Sequence, residues 1–418
     1  MKLRTLVVAV VVPLALLAAA CGESDEKKAE SGPAATAAPG GATGTTKPDN
    51  TGVPGISDTT IKLGSTLPIV GTAATAGVGL RDGIKLAVDE INAAGGIDGR
   101  KVETVVLDDG FDVNRLVSNV QKLVNEDKVY AIVAPAGSQA LPGTYDFIKS
   151  SRTPMWGPVS PPDPKIEPVF ILAATRTAQL RVAIDYMGSK GVKKLAVIGQ
   201  NNTLGAEAKA AAEAQAPKNG MTIVAQETVE VQSKDVTAAV NKVLSSGADG
   251  IVMGVDNAQA ALVQNQINQA GKRGSIIVAT DSGAGGPGGD NTTKLCEPNA
   301  CEGFIGAMQA ELTTSDVAQV AKVRDLSQKA NMAQGGLNFI LQSYAYTTAF
   351  FEVLKKMNGN YKYENFYKTA EAIDYDSGIL PKIKCGALPE GHSCGAGAGL
   401  AEFKAGKWTV VQKFTVPK

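Results

Sequence analysis

The side chains able to do chemistry are few, and their arrangement argues against an enzyme. The chain of 418 residues holds one histidine, His392. A secreted serine hydrolase needs a nucleophile beside a base, and no G-x-S-x-G elbow occurs in the sequence. The glycine-rich stretch at 283–290 (GAGGPGGD) is followed by no Lys-Ser or Lys-Thr, so it is not a P-loop. The acidic stretch at 108–112 (DDGFD) lacks the remainder of a calcium-binding loop. Apart from Cys21, the cysteines form two close pairs: Cys296 with Cys301 (CEPNAC) and Cys385 with Cys394 (CGALPEGHSC). Three pairings are open to them, and the two local ones are expected. Each would staple a proline-containing loop, at about 2 kcal/mol because the closed loops are short. Zinc is the rival use. It is disfavoured because there is a single histidine and neither pair has the tight C-x-x-C spacing. No enzymatic activity, cofactor or metal is expected.

Composition and the N-terminus place the chain. The formal net charge is zero and aromatic residues make up 5%, so no basic surface suggests a nucleic-acid partner. Lys2 and Arg4 precede an apolar run at 6–20 that is too short for a membrane span, which needs about 20 residues, and that suits a signal peptide. The run ends in LAAACG, which reads as a lipobox with Cys21 the lipidated residue. An ordinary signal peptide cut near Ala20 would also export the chain. Residues 23–54 are rich in Ala, Gly, Thr, Pro and Ser without apolar periodicity and read as a flexible tether. The protein is thus expected outside the cytoplasm, lipid-anchored on the extracytoplasmic face of the cell membrane.

From residue 60 short apolar runs alternate with amphipathic stretches. Strands are expected at 61–66, 102–107, 130–134 and 155–156, with helices at 78–94, 113–125 and 140–150 between them. The near-continuous apolar strands indicate a parallel sheet covered on both faces. The residues at 170–174 and a helix at 177–190 form a crossover, and the rhythm then restarts. Strands are expected at 195–199, 222–227, 250–254 and 275–279, and helices at 204–216, 235–244 and 258–270. Helices at 317–330, 336–357 and 363–372 follow, then a hairpin at 400–416 turning at Ala405-Gly406-Lys407. Patterning alone does not say which unit these last pieces join.

The order of motifs resembles the branched-chain amino acid (Leu/Ile/Val) binding protein family, type I periplasmic binding proteins of ATP-driven transporters. The resemblance rests on IKLGSTLPIVG, GIKLAVDEINAAGGIDGRKVETVVLDDGFD and KVYAIVAPAGSQA in the first unit. In the second it rests on KLAVIGQNNTLGAEA, SKDVTAAVNKVLSSGADGIVMG and AGKRGSIIVATDS. It implies an α/β fold of two doubly wound lobes with parallel sheets flanked by helices, joined by a three-segment hinge. The first lobe would comprise 56–176 and about 308–380, the second 177–307 and about 381–418, after a signal peptide at 1–20 and a lipidated tether at 21–55. It further implies a monomer that captures a small molecule, an amino acid, amide or related carboxylate, and delivers it to the permease and ATPase subunits of an ABC importer. A ligand sensor working with a signalling partner is the alternative.

In open parallel sheets ligands sit beyond the carboxyl ends of the strands, where helix N-termini expose N–H groups suited to an anion. There Gly137 and Ser138 match the family's carboxylate-binding loop, while Val159 and Ser160 match a second loop of the first lobe. Ser138 could equally cap the helix after it. Asp281 matches the family's acidic residue that pairs with a ligand ammonium, and Asp256 a position where many relatives carry an aromatic. Ala76 and Leu204 stand at two further positions that are often aromatic, so the pocket would be less aromatic than is usual in the family. Trp156 either lines the pocket beside Ser160 or packs in the core, and Phe111 carries the same ambiguity.

Overall fold

In the computed structural model the described residues are 48–71, 73–137, 140–159, 165–282, 291–388, 392–395 and 397–418. The signal segment, Cys21, most of the tether, Ser138 and Ser160 lie outside them. Among the described residues no helix is long and apolar enough to cross a membrane.

The first half runs β1 (Thr60–Leu67), α1 (Ala74–Ala93), β2 (Lys101–Asp108), α2 (Val113–Asn125), β3 (Ala131–Val133), α3 (Tyr145–Ser151), β4 (Met155–Trp156) and β5 (Val169–Phe170). Its strands form one all-parallel sheet in the order β2-β1-β3-β4-β5. The second half runs α4 (Arg176–Ser189), β6 (Lys194–Gln200), α5 (Thr203–Gln215), β7 (Thr222–Val229), α6 (Thr237–Ser245), β8 (Gly250–Gly254), α7 (Asn257–Gln269), β9 (Ile277–Thr280), α8 (Asn291–Leu295) and β10 (Ile305–Met308). Then come α9 (Ala318–Lys329), α10 (Leu337–Lys356), α11 (Tyr363–Glu371), the short strands β11 (Asp374–Tyr375) and β12 (Ile383–Lys384), and the hairpin β13 (Ala398–Lys404) and β14 (Lys407–Thr415). The second sheet has the order β14-β13-β10-β9-β8-β6-β7. It is parallel from β7 to β10 and antiparallel across β13 and β14.

Most elements fall within a few residues of their expected bounds. The helix expected at 140–150 is instead a 3₁₀ turn, Leu141–Thr144, leading into α3. Gly143 weakens an α-helical run there. The strand β10 was not anticipated, because four residues between loops show no period.

The C-terminal pieces divide between the sheets. Helix α10 packs on α1 in the first core, together with α9 and α11, while β13 and β14 extend the second sheet. The approach of α10 to α1 requires Gly83, where a Cβ would stand 2.2 Å from Ser343 Oγ and 2.3 Å from the Ile340 carbonyl oxygen. Although aromatics are scarce, several gather here. Trp156 lies 5.4 Å from Phe170 and 5.8 Å from Phe350 between ring centroids, and Phe350 lies 5.5 Å from Phe366. Trp156 is fully buried and its indole N–H donates to the Tyr346 carbonyl at 2.9 Å. This corrects the pocket-lining reading. Its side chain points into the face closed by α10 and α11, whose place in the fold was not readable from local pattern. Phe111, by contrast, is 64% exposed.

Cys296 is bonded to Cys301 and Cys385 to Cys394, with Cα separations of 5.9 and 4.2 Å. His392, inside the second loop, is buried. Its ring stacks on Phe170 at 4.1 Å, and its Nε2 lies 3.1 Å from Glu371 Oε1.

The chain passes between the sheets three times, after β5, after β10 and before β13. Two passages run side by side: Ile171 donates its N–H to the His392 carbonyl at 2.8 Å and accepts from the Cys394 N–H at 2.7 Å. The third is held where the Glu311 N–H donates to the Ile379 carbonyl at 2.7 Å.

Replacing Trp156 by Ala should lower the unfolding free energy by about 3–5 kcal/mol, the range for emptying a large aromatic site in a core. Urea denaturation reads this. A loss near zero would mean that the indole is not the keystone of the first core.

Candidate ligand site

At the carboxyl edge of the first sheet, α1 leaves the β1 loop pressed against it. Gly77, in the first turn of α1, comes so near that a Cβ would stand 2.0 Å from the Pro68 carbonyl oxygen. The half-buried Ala76 precedes it. The β1 loop is held by Asp108, whose Oδ1 accepts from the N–H groups of Ile69 at 2.7 Å and Val70 at 3.2 Å. Burial works against the Asp108 charge. The N–H groups of Ile69, Gly110 and Val70, with Arg115, outweigh it and hold the pKa below the ordinary value. Its neighbour Asp109 behaves oppositely. It is 1% exposed and accepts from the Thr66 hydroxyl and the Phe111 N–H, both at 2.9 Å, yet burial pushes its carboxyl above the usual 3.8.

Along the same edge the loops after β3 and β4 are tied together. Val159 donates its N–H to the Pro135 carbonyl at 2.9 Å and pairs with Ala136, which brings Gly137 and Val159 onto adjacent loops. Gly137 has a φ of 141°, and a Cβ there would meet Leu116 Cδ1 at 2.4 Å. Its carbonyl accepts from the N–H groups of Ala140 and Leu141. Ala134, at the end of β3, sits at a φ of 50°, which is strained for a residue with a Cβ. Ser138 and Ser160, next along these two loops, lie outside the described residues.

The second sheet repeats the device. At Gly205, in the first turn of α5, a Cβ would stand 2.0 Å from the Gln200 carbonyl oxygen. Leu204 is half-buried beside it, and its N–H is capped by Asn202 Oδ1 at 2.9 Å. Asp256 caps α7: Oδ1 accepts from the Gln259 N–H at 2.9 Å and Oδ2 from Gln200 Nε2 at 2.6 Å. It also lines a groove of about 640 Å³ with Lys234, Asn257, Leu262, Lys294 and Leu295.

Asp281 stands just beyond β9 and is buried. Its Oδ2 accepts from Arg176 Nε at 3.2 Å, and Arg176 Nη1 donates to Glu207 Oε2 at 2.8 Å. Burial opposes the guanidinium charge, but Asp281 and Glu207 outweigh it and raise the Arg176 pKa. Gln179 Oε1 accepts from the Ser282 N–H at 2.9 Å, tying the β9 loop to α4. Sequence reasoning missed Arg176, Gln200 and Gln179. Nothing local marks them, because each acts through a partner distant along the chain.

The two edges adjoin. The first passage leads from the carboxyl end of β5 directly to the N-terminus of α4, and Gln309, just past β10, accepts from Gln342 Nε2 of α10 at 3.1 Å.

The buried charge of Asp109 gives a pH prediction. Its folded pKa lies above the unfolded one, so the ionised form costs stability, and the cost grows as pH rises from about 3.8 through the folded value. Asp109→Asn removes the charge and keeps an acceptor for Phe111. The stability difference between variant and wild type should therefore shift in favour of the variant as pH rises from about 3.8 through the raised folded value, then level off. Urea melts across pH check this, and a difference flat in pH would refute it.

Residues 60–407 match the periplasmic binding protein family. The chain is 29% identical over 237 residues to the Leu/Ile/Val-binding protein homolog 3 of Brucella melitensis biotype 1, covering 56% of this chain and 62% of that protein, less than two thirds of its length. Among solved structures it superposes on a branched chain amino acid ABC transporter protein from Thermus thermophilus with bound valine, at a TM-score of 0.71 and 16% identity, covering 86% of this chain and 97% of that one. It also superposes on the fatty acid ABC transporter substrate-binding protein from Thermomonospora curvata, at 0.69 and 20%, covering 87% and 94%. These likenesses establish the shared α/β architecture. By the family matched across its α/β body, the chain is not an enzyme but belongs to the periplasmic binding protein family.

Proposed function

We propose that the chain is an extracytoplasmic solute-binding lipoprotein that captures a small carboxylate-bearing molecule between two lobes and delivers it to an ABC importer. The lobes divide at the three passages; the stretch carrying Ile383 and Cys394, which pack in the first core, goes with the first lobe and not, as the resemblance implied, with the second. The observation that carries this reading is the meeting of two carboxyl edges across three passages, each edge lined by helix N-termini set close to strand ends. In such an edge the first N–H groups of a helix lack intrahelical partners and favour an anion. The Gly137 and Val159 loops supply the anion-binding side, with Ser138 and Ser160 next in line. Ligand bridging both edges shifts the population toward a closed form, which the permease recognises. Similar proteins are named for branched-chain amino acids and for fatty acids, and both carry a carboxylate. Cys21 carries the lipid that keeps the body near its permease.

A thermal-shift screen against amino acids, their amides and short carboxylates at about 1 mM tests the reading. A ligand present at a thousandfold excess over its Kd adds about 4 kcal/mol, and the same ligand should compact the protein in small-angle scattering. A stabilising ligand with no compaction would count against closure. Cys21→Ala should move the protein from the membrane fraction to the soluble one. Retention at the membrane would refute the lipid anchor.

A further inference from the structure

We infer that Arg176 sets the ligand class: the second sheet presents a guanidinium to the ligand, so the chain selects a carboxylate whose second polar group is an uncharged acceptor, a carbonyl or hydroxyl, over one bearing an ammonium. The inference rests on the proposed capture of a carboxylate between the two edges, and it names the chemistry of the ligand's other end.

Arg176 opens α4, where Thr175 caps the helix by accepting the Ala178 N–H at 3.3 Å. Because α4 runs back along the second sheet, its first residue lies at the carboxyl edge, beside the end of β9. Two carboxylates fix the guanidinium, Asp281 through Nε and Glu207 through Nη1. A guanidinium carries N–H donors and no acceptor. The N–H groups of Nη2 have no partner among the described residues.

Exposure decides which group a ligand meets. The Asp281 side chain is 3% exposed and that of Arg176 is 21% exposed. The carboxylate is the more buried member of the pair. An ammonium seeking Asp281 must displace Arg176 from a buried pair, or remain beside a like charge, and both are unfavourable. A second carboxylate is poorly placed as well, since it would stand beside the like charges of Asp281 and Glu207. What remains favourable is a neutral oxygen accepting from Nη2.

Binding of matched sets of 2-amino, 2-hydroxy and 2-oxo acids to the purified full chain, each set sharing one side chain from methyl to benzyl, tests this by calorimetry. The expected result is that within a binding set the oxo or hydroxy acid exceeds the amino acid by at least about tenfold, the scale of one charge-assisted hydrogen bond. Arg176→Gln should erase that preference, and Arg176→Lys should restore part of it. Circular dichroism verifies that both variants fold, and the wild-type comparison stands without them. An amino acid that binds wild type as tightly as its oxo analogue overturns the inference and leaves solute capture intact. An undiminished preference in a folded Arg176→Gln protein also overturns it. Silence of every set against folded wild type overturns the inference together with the small-carboxylate reading beneath it.

Discussion

The close seating of helix N-termini on strand ends is the constraint from which the rest of the molecule follows. At Gly77 and Gly205 the helix backbone occupies the space that a side chain would need, within 2.0 Å of a carbonyl oxygen of the preceding strand or loop for an added Cβ. Any larger residue would push α1 or α5 away from its sheet. With the helices seated, their N-termini lie at the carboxyl edges. Polar side chains such as Asp108, Gln200 and Asp256 can then bind the loops between them. The shape of each carboxyl edge is thus a by-product of tight backbone packing, repeated once in each sheet.

Two adjacent carboxylates show how far local surroundings govern charge at that edge. Asp108 receives several backbone N–H groups and stays readily ionised, whereas Asp109, one residue on, faces inward with fewer donors and resists ionisation. The aromatics show the complementary economy of place. Trp156, Phe170, Phe350 and Phe366 are all spent in the first core, leaving Ala76, Leu204 and Asp256 at edge positions. The groups presented at these edges are hydrogen-bonding and charged more than aromatic.

Much of the fold was legible because it is local. Helix α2 was bounded to the residue from its apolar spacing, and in the structure Asp112 caps its start. The strand β8 was equally plain, as an apolar run between a turn and a polar stretch. The position of Asp281 at a strand end could be read as well. Its pairing could not, because Arg176 lies 105 residues away and belongs to a helix whose own pattern serves packing. The same limit applied to Trp156. Its fate depended on α10, and the choice of sheet for α10 depended on a glycine contact that no periodicity records. Residues that act through their own neighbours were readable, and those that act through distant partners were not.

The pairing of Ile171 with Ser393 has a mechanical side. Two of the three spans between the sheets form a ribbon joined by hydrogen bonds, and Cys394, which donates to Ile171, is itself anchored to Cys385. A ribbon bends easily across its flat face, but resists shear between its strands, since sliding would break the bonds that join them. Relative motion of the two sheets is therefore channelled toward a single rotation. Conformations reached through such a joint differ by an angle, while the surfaces on either side of it keep their shape.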